Sequence, residues 1–431
     1  MLHIEDLRID EDVLPLLDYT HAPGAKSALR TLLHDVPPTV ELVVEKQAVF
    51  HGFWANWVVL ADFSYQKTHL YEVHTFLEEV ATGRLSLETN RVKATAQLFF
   101  SETAHAQTRS RCIQVVLFWH RLHQHYFQRL APEAFPQPFR AYLQAIAHFL
   151  ERFSFEEYAH AIAQDAFTVA HLVRFTRQLQ AVTVEELATV WDAFYAFEAH
   201  WSAAKGLRAR GWAFPQFVAT GLHLDDFYHP ALAQPVTNTL ALGGEETVMV
   251  LTGPNMSGKS TLLKAVGLCV YLAHAGLGVP AARCTTPFFS SILVAINLRD
   301  SLKDGFSHFM VELHHLKGVL QAAAGGGRVF AIFDELFRGT NGADALDLTT
   351  ATVRGLVGFP ASYFFVSTHL LHLPAHLPPV PALCAFQIEC VVREGAPVFT
   401  FRLQPGWSRL MIGRMLFEQL GIPDLLPATT S

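Results

Sequence analysis

The segment Gly253-Pro-Asn-Met-Ser-Gly258-Lys259-Ser260 constrains this chain more than any other. It fits the pattern G-x-x-x-x-G-K-S/T and lies between an apolar run at 248–252 and a helix-like run that follows. The pattern works only in that setting. Glycines let the backbone curl, the amides turn inward, and the helix N-terminus adds positive potential, so the loop suits phosphate oxygens. Lys259 can reach phosphates as a point charge, and the Ser260 hydroxyl can ligate Mg²⁺, which prefers oxygen. Such a loop needs a strand behind it. The runs 248–252, 292–296, 329–333 and 363–367 read as buried strands, and helical segments follow Lys259, His308 and Ala343. Alternation of this kind predicts a mostly parallel sheet flanked by helices. Runs 385–392 and 398–403 read as a hairpin turned at Glu394-Gly395.

The first half is different. Apolar residues recur at helical spacing over 25–33, 66–80, 110–129, 139–152 and 184–204, and strand signals are few. The expected fold class is therefore α plus α/β: an all-helical region over 1–205, then a P-loop (ABC-type) ATPase domain over 206–431. Hydrophobic residues make up 51% of the 431 and charged ones only 16%, with 34 Phe, which fits large cores rather than disorder. The net charge of -7 does not argue for nucleic acid, yet a local basic patch would suffice for it. Five scattered cysteines without a C-x-x-C pair read as free thiols. The acidic opening MLHIEDLRIDEDVL does not read as a signal peptide, and no long uninterrupted apolar stretch reads as a membrane span. A cytoplasmic location is the resulting expectation.

Two further strand ends carry chemistry. Val329-Phe-Ala-Ile-Phe-Asp334-Glu335 is a hydrophobic strand closed by two carboxylates, the usual partner of a phosphate loop. Asp334 would hold Mg²⁺ and Glu335 would polarise the attacking water. Phe364-Phe-Val-Ser-Thr368-His369 ends in a polar pair, where strand C-termini line a ligand crevice. His369 would face a terminal phosphate there, or else be a capping or surface histidine.

The segment from Thr252 to Leu373 resembles the MutS mismatch-repair ATPase family. The strings that carry the likeness are TGPNMSGKST (252–261), GVPAARC (278–284), DGFSHFMVEL (304–313), FDELFRGTN (333–341) and STHLLHL (367–373). His229-Pro230 with Pro235-Val-Thr-Asn238 looks like the family's lead-in, and Phe401-Arg-Leu-Gln-Pro-Gly406, Ser408 and Gly421-Ile-Pro423 look like its closing segment. A weaker likeness runs from Leu16 to Leu29, at the opening of the family's core domain. The resemblance implies an ATP- and Mg²⁺-dependent ATPase that dimerises and acts on DNA. It implies nucleotide contacts from Gly253, Pro254, Asn255, Met256, Ser257, Gly258, Lys259, Ser260 and Thr261, and metal contacts from Ser260 and Asp334. Lys259, Glu335 and His369 would serve the chemistry. Ser307 would reach across a dimer to the partner's γ-phosphate. Val236 and Asn238 fall where the family contacts adenine. The family often has an aromatic residue near Val236, so Val there implies either a weaker grip on adenine or Phe227 or Tyr228 doing that work instead, and by itself Val236 reads as an ordinary core-packing residue.

The departures shape the functional expectation. The core-like segment begins within the first twenty or so residues, so a short MutS-like protein without mismatch-reading and connector domains is expected. Phe155-Glu156-Glu157 and Phe76-Leu77-Glu78 fit the reader's Phe-x-Glu wedge, but both fall in helical stretches. Ser257 stands where Gly is common, and Phe337 replaces a Gly. The reading is an ATP-dependent DNA-binding protein, a homodimer through its ATPase domains. The alternative is the same ATPase coupled to a protein partner. A transporter motor lacks its LSGGQ string and membrane partner here, and a chromosome ATPase lacks long heptad arms.

Overall fold

The computed structural model describes residues 2–90, 92–93, 102–296, 308–393 and 396–408, with scattered positions from 410 to 425. The chain forms two units. One comprises Met1–Pro15, Val36–Val44 and Arg210–Ser431, and the other comprises Leu16–Asp35 and Glu45–Ala209.

The second unit contains no strand among its described residues. Its helices include Pro23–His34, Lys67–Ala81, Glu102–His125, Gln137–Arg152, Phe155–Ala163, Val169–Gln180 and Val184–Arg210. Gln137–Arg152 is typical: Phe139, Leu143, Ile146, Phe149 and Leu150 make one buried stripe at helical spacing. Val184–Arg210 is instead buried on most sides, and Trp191, Phe194, Phe197 and Trp201 fill the centre of the unit. A carboxyl group sits among them. Glu198 is fully buried, and its carboxylate accepts from the His21 backbone N–H (2.5 Å), from His21 Nδ1 (2.9 Å) and from the Tyr65 hydroxyl (2.5 Å). Burial and the neighbouring Glu198 push the Tyr65 phenol far up, so it remains a donor. One turn on, Ser202 accepts from Tyr19 N–H (2.6 Å) and donates to the Leu17 carbonyl (2.7 Å). Both Phe-x-Glu triplets lie in helices, with Phe76 and Phe155 buried, so neither presents an exposed wedge.

The first unit is built on a sheet. In chain order its strands are β1 (Leu2–His3), β2 (Gln216–Phe217), β3 (Leu222–Phe227), β4 (Asn238–Leu242), β5 (Val248–Thr252), β6 (Arg283–Thr286), β7 (Ser291–Ala295), β8 (Val329–Asp334), β9 (Tyr363–Thr368), β10 (Leu383–Arg393) and β11 (Ala396–Pro405). A seven-stranded sheet runs β1-β7-β8-β9-β5-β10-β11, parallel throughout except for the β10/β11 pair. A second sheet of four strands runs β2-β6-β3-β4. Strands β5, β7, β8 and β9 are near-continuous apolar runs because both faces are covered. Val250, Ala331, Phe333, Phe364 and Val366 face Leu316, Val319, Val353 and Leu356, from helices His308–Ala324 and Gly342–Leu356. Residues of opposite parity face helix Lys259–His274. A Cβ on its Gly267 would meet Ile332 at 3.0 Å and Val294 at 3.2 Å. The mixed helical and sheet character and the mostly parallel sheet match the expectation from sequence. No described helix is long and apolar enough to cross a membrane, and the five cysteines are free.

His274 ends that helix and is buried between Phe288 and Phe289. Its Nε2 takes the Phe289 N–H at 2.8 Å, so Nδ1 carries the proton and donates to the Val270 carbonyl at 2.7 Å. Burial pushes its pKa down to about 4. The unfolded chain, near the ordinary 6.5, therefore takes the proton first, and stability falls as pH drops below 6.5 towards the folded value. Between pH 7 and 4.5 the loss through this one group is expected to be about 2–3 kcal/mol. Urea unfolding across that range should show it, with a flatter profile in His274→Gln. An unchanged slope in that variant would remove His274 as the cause.

Candidate functional site

Register places the C-terminal ends of β5, β8 and β9 side by side. Asp334 is opposite Ser367, and Thr368 is opposite Thr252. The loops that leave these ends share one edge of the sheet. Thr252 anchors the first of them: its hydroxyl donates to the Phe386 carbonyl (3.2 Å) and accepts from Ser408 N–H (2.9 Å).

The loop from Gly253 to Gly258 then curls back. Ser257 N–H reaches the Pro254 carbonyl at 3.3 Å, and Met256 (φ 68°) and Gly258 (φ 94°) take left-handed conformations. Gly258 caps helix Lys259–His274, and a Cβ there would press on the Phe401 ring at 3.2 Å. Lys259 folds over the loop, donating to the carbonyls of Gly253 (2.9 Å) and Pro254 (3.2 Å). Burial draws the Lys259 ammonium below the ordinary lysine range, while Glu335 and Asp334 act to hold it up. Asn255 and Met256 are exposed at the tip, and Ser257 is buried with its hydroxyl unpartnered.

Beside the loop, Asp334 receives two hydroxyls. Ser260 donates to Oδ2 and Ser367 donates to Oδ1. Glu335 follows at φ 55°, and its N–H is shared between the Ser367 carbonyl and hydroxyl, each at 3.2 Å. Three cationic or protonatable groups surround its carboxylate: His369 Nδ1 at 3.7 Å, Lys259 Nζ at 3.8 Å and Arg338 Nη1 at 3.6 Å. The nearby His369 imidazole leads in holding Glu335 below the ordinary carboxylate range, and with Lys259 it outweighs burial. Phe337, the residue that stands in place of a glycine, is left-handed (φ 65°) yet only 1% exposed. Its N–H donates to the buried Glu312 carboxylate at 2.8 Å.

A cleft flanks the loop on another side, lined by Phe227, Tyr228, Val236, Asn238, Thr261 and Phe401 among others. Val236 is 38% exposed, so it is not a core residue. The Asn238 amide is engaged at both ends. Oδ1 accepts from Leu403 N–H (2.7 Å), and Nδ2 donates to the carbonyls of Phe401 (3.1 Å) and Val236 (3.3 Å). It thereby fixes the backbone of Phe401, a half-exposed residue at φ 57°.

The structure thus brings Gly253, Pro254, Asn255, Met256, Ser257, Gly258, Lys259, Ser260, Asp334, Glu335 and His369 to one edge, and Val236, Asn238 and Thr261 to the adjoining cleft. Ser307 lies outside the described residues. Sequence reasoning missed Ser367, Arg338, Glu312 and Phe401. Ser367 and Arg338 sit inside strings already singled out. Glu312 and Phe401 also fall in such strings, but the place of Phe401 over Gly258 follows from a left-handed backbone that its string does not reveal. Chemically the edge offers a cation within a curled loop, two oxygen donors for a hard metal ion, and a carboxylate poised as a base.

The family model described as MutS domain V matches residues 249–429. A DNA mismatch repair protein MutS from Natronomonas pharaonis is 30% identical over 214 residues, 49% of this chain and 25% of that protein. The chain thus spans about a quarter of the length of this curated relative. These matches fall on a chain whose loop, paired carboxylates and histidine converge as described, and over residues 249–429 the chain is similar to MutS domain V.

Proposed function

We propose that this chain binds and hydrolyses Mg-ATP through a MutS-type P-loop ATPase domain over 206–431, with 1–205 as a helical core/lever region, and that turnover is coupled to DNA binding by a cytoplasmic homodimer. The observation that carries the reading is the convergence of Lys259, Ser260, Asp334 and Glu335 from the ends of β5 and β8, the two strands that flank β9. The residues fit the ligand. The Lys259 ammonium is shielded, hydrogen-bonded to two loop carbonyls and ion-paired at 3.8 Å with Glu335, and the Ser257 hydroxyl is buried without a partner among the described residues. Ser260 and Asp334 supply the hard oxygens that Mg²⁺ takes, with water completing its shell.

Each residue then has a role. Lys259 and the loop amides hold the phosphates, and Ser260 and Asp334 hold the ion. Bound Mg²⁺ neutralises charge that develops on the transferred phosphoryl group. Glu335 orients water and accepts its proton, and His369 stands beside it at the γ-phosphate end. Val236, Asn238 and Phe401 border the cleft for adenine, where the exposed Phe401 ring takes the stacking role that Phe227 or Tyr228 was expected to fill. Ser307 of one subunit would complete the partner's site. Steady-state ATP hydrolysis, with matched, mismatched, branched and single-stranded DNA, tests this. Lys259→Ala is expected to lower the rate by on the order of 100-fold or more, and one DNA form should alter the wild-type rate. A Lys259-independent rate would sink the reading.

A second reading, coupling to a protein partner, has its own support. Several arginines suited to a DNA channel are engaged within the helical unit. Arg111 pairs with Glu79 at 2.6 Å, Arg140 bonds the Phe135 and Glu133 carbonyls, and Arg109 bonds the Phe167 carbonyl. A Lys259-dependent rate indifferent to every DNA would favour this second reading.

A further inference from the structure

Ser367 is fully buried at the end of β9, directly opposite Asp334 in the sheet register. A hydroxyl has one proton to give and lone pairs to receive, and Ser367 uses both on the acidic pair. It donates to Asp334 Oδ1 and is within reach of the Glu335 N–H at 3.2 Å. Its own carbonyl takes the same N–H at 3.2 Å. One residue therefore orders the carboxylate assigned to the metal and the backbone that aims the base.

We propose that Ser367 is a positioning residue that sets the metal affinity and base alignment of this site, an inference that rests on the ATPase reading. With Oδ1 tied from the β9 side, the Asp334 carboxylate cannot rotate freely, and Oδ2 stays turned to Ser260. These two oxygens are the pair that would take Mg²⁺. Glu335 leaves the strand in a left-handed conformation that is uncommon outside glycine and needs local support to persist. The Ser367 hydroxyl and carbonyl supply that support together. Losing the hydroxyl would leave the carboxylate free to turn and the Glu335 amide with a single acceptor.

Outer partners of metal ligands commonly tune affinity or activity by 10- to 100-fold. Ser367→Ala is therefore expected to raise the Mg²⁺ concentration for half-maximal ATP binding by about tenfold. Excess Mg²⁺ should restore binding while turnover stays low, because the Glu335 backbone is not repaired by metal. Ser367→Cys keeps the side-chain shape, slightly enlarged, with a much weaker donor, and it should behave like Ser367→Ala. It also decides the question if the alanine variant folds poorly.

The experiment titrates Mg²⁺ against fluorescent-ATP binding and against ATP turnover, using the full chain in wild-type, Ser367→Ala and Ser367→Cys forms. Parallel shifts of both variants support the proposal. Curves within twofold of wild type in both would overturn it, as would a shift in alanine alone, which would mark a packing effect. A wild-type protein that binds no ATP at any Mg²⁺ concentration would overturn the ATPase reading itself, and this proposal with it.

Discussion

Glu335→Gln is expected to cut ATP turnover by on the order of 100- to 10,000-fold while nucleotide binding persists. The carboxylate has His369, Lys259 and Arg338 around it, and these groups keep it ionised below the ordinary carboxylate range. In the proposed ATPase it is therefore a base ready at neutral pH. Protonation of Glu335 should limit hydrolysis only at pH below the ordinary carboxylate range. Glutamine keeps the shape and cannot accept the proton. It also removes a negative charge beside Lys259, so phosphate binding should hold or tighten. Fluorescent-ATP binding and single-turnover hydrolysis separate these effects. Turnover within tenfold of wild type would exclude Glu335 as the base. Loss of binding together with turnover would instead point to a structural role for the residue.

Glu198→Ala is expected to be the most damaging single change in the helical unit, at about 3–5 kcal/mol. The carboxylate is fully buried and satisfies two donors of His21 and the Tyr65 hydroxyl. Alanine would leave all of them unpaired among aromatic rings, where each orphaned donor costs about 1–3 kcal/mol, and would leave a void as well. Tyr65→Phe removes one of those donors. The double variant Glu198→Ala/Tyr65→Phe should therefore lose less than the sum of the two single changes. Denaturant unfolding followed by far-UV circular dichroism reports both quantities. A loss under about 1 kcal/mol, or strict additivity, would contradict this account of the buried carboxyl group.

The parts of the fold that sequence made legible are those where one local rule decides the outcome. Strands β5, β7, β8 and β9 are buried on both faces, so they stand out as apolar runs ended by polar residues at Thr252, Asp334 and Thr368. The loop before Lys259 is legible because phosphate binding demands its spacing. The helices of the first half showed their stripes, with boundaries displaced by a few residues, as at Pro23–His34. Strand β3, LHLDDF, buries Leu222, Leu224 and Phe227 across an irregularity in its pairing with β4, which breaks the simple alternation. Strand β1 has two residues and no pattern at all. Within the proposed site, Lys259, Asp334 and Glu335 were singled out by residue type and spacing, and the structure brings them together. Ser367 and Phe401 were not, because their placement depends on register across the sheet and on a left-handed backbone.

The pairing of β1 with β7 has a consequence for how the chain assembles. Leu2 pairs with Ile292, and the Asp6 carboxylate takes the Ile296 N–H across 290 residues. During synthesis the whole helical unit emerges before that partner strand exists. Helical segments rich in near-neighbour contacts form quickly, whereas long-range parallel pairing is slow. The opening residues must therefore wait, exposed, until the sheet behind them is translated. A two-residue strand offers little to nucleate around, so it docks onto a sheet already formed rather than starting one. Closing that edge is then a late event in the life of each new molecule, and the interval before it is when the uncovered flank of β7 is most open to pairing with another chain.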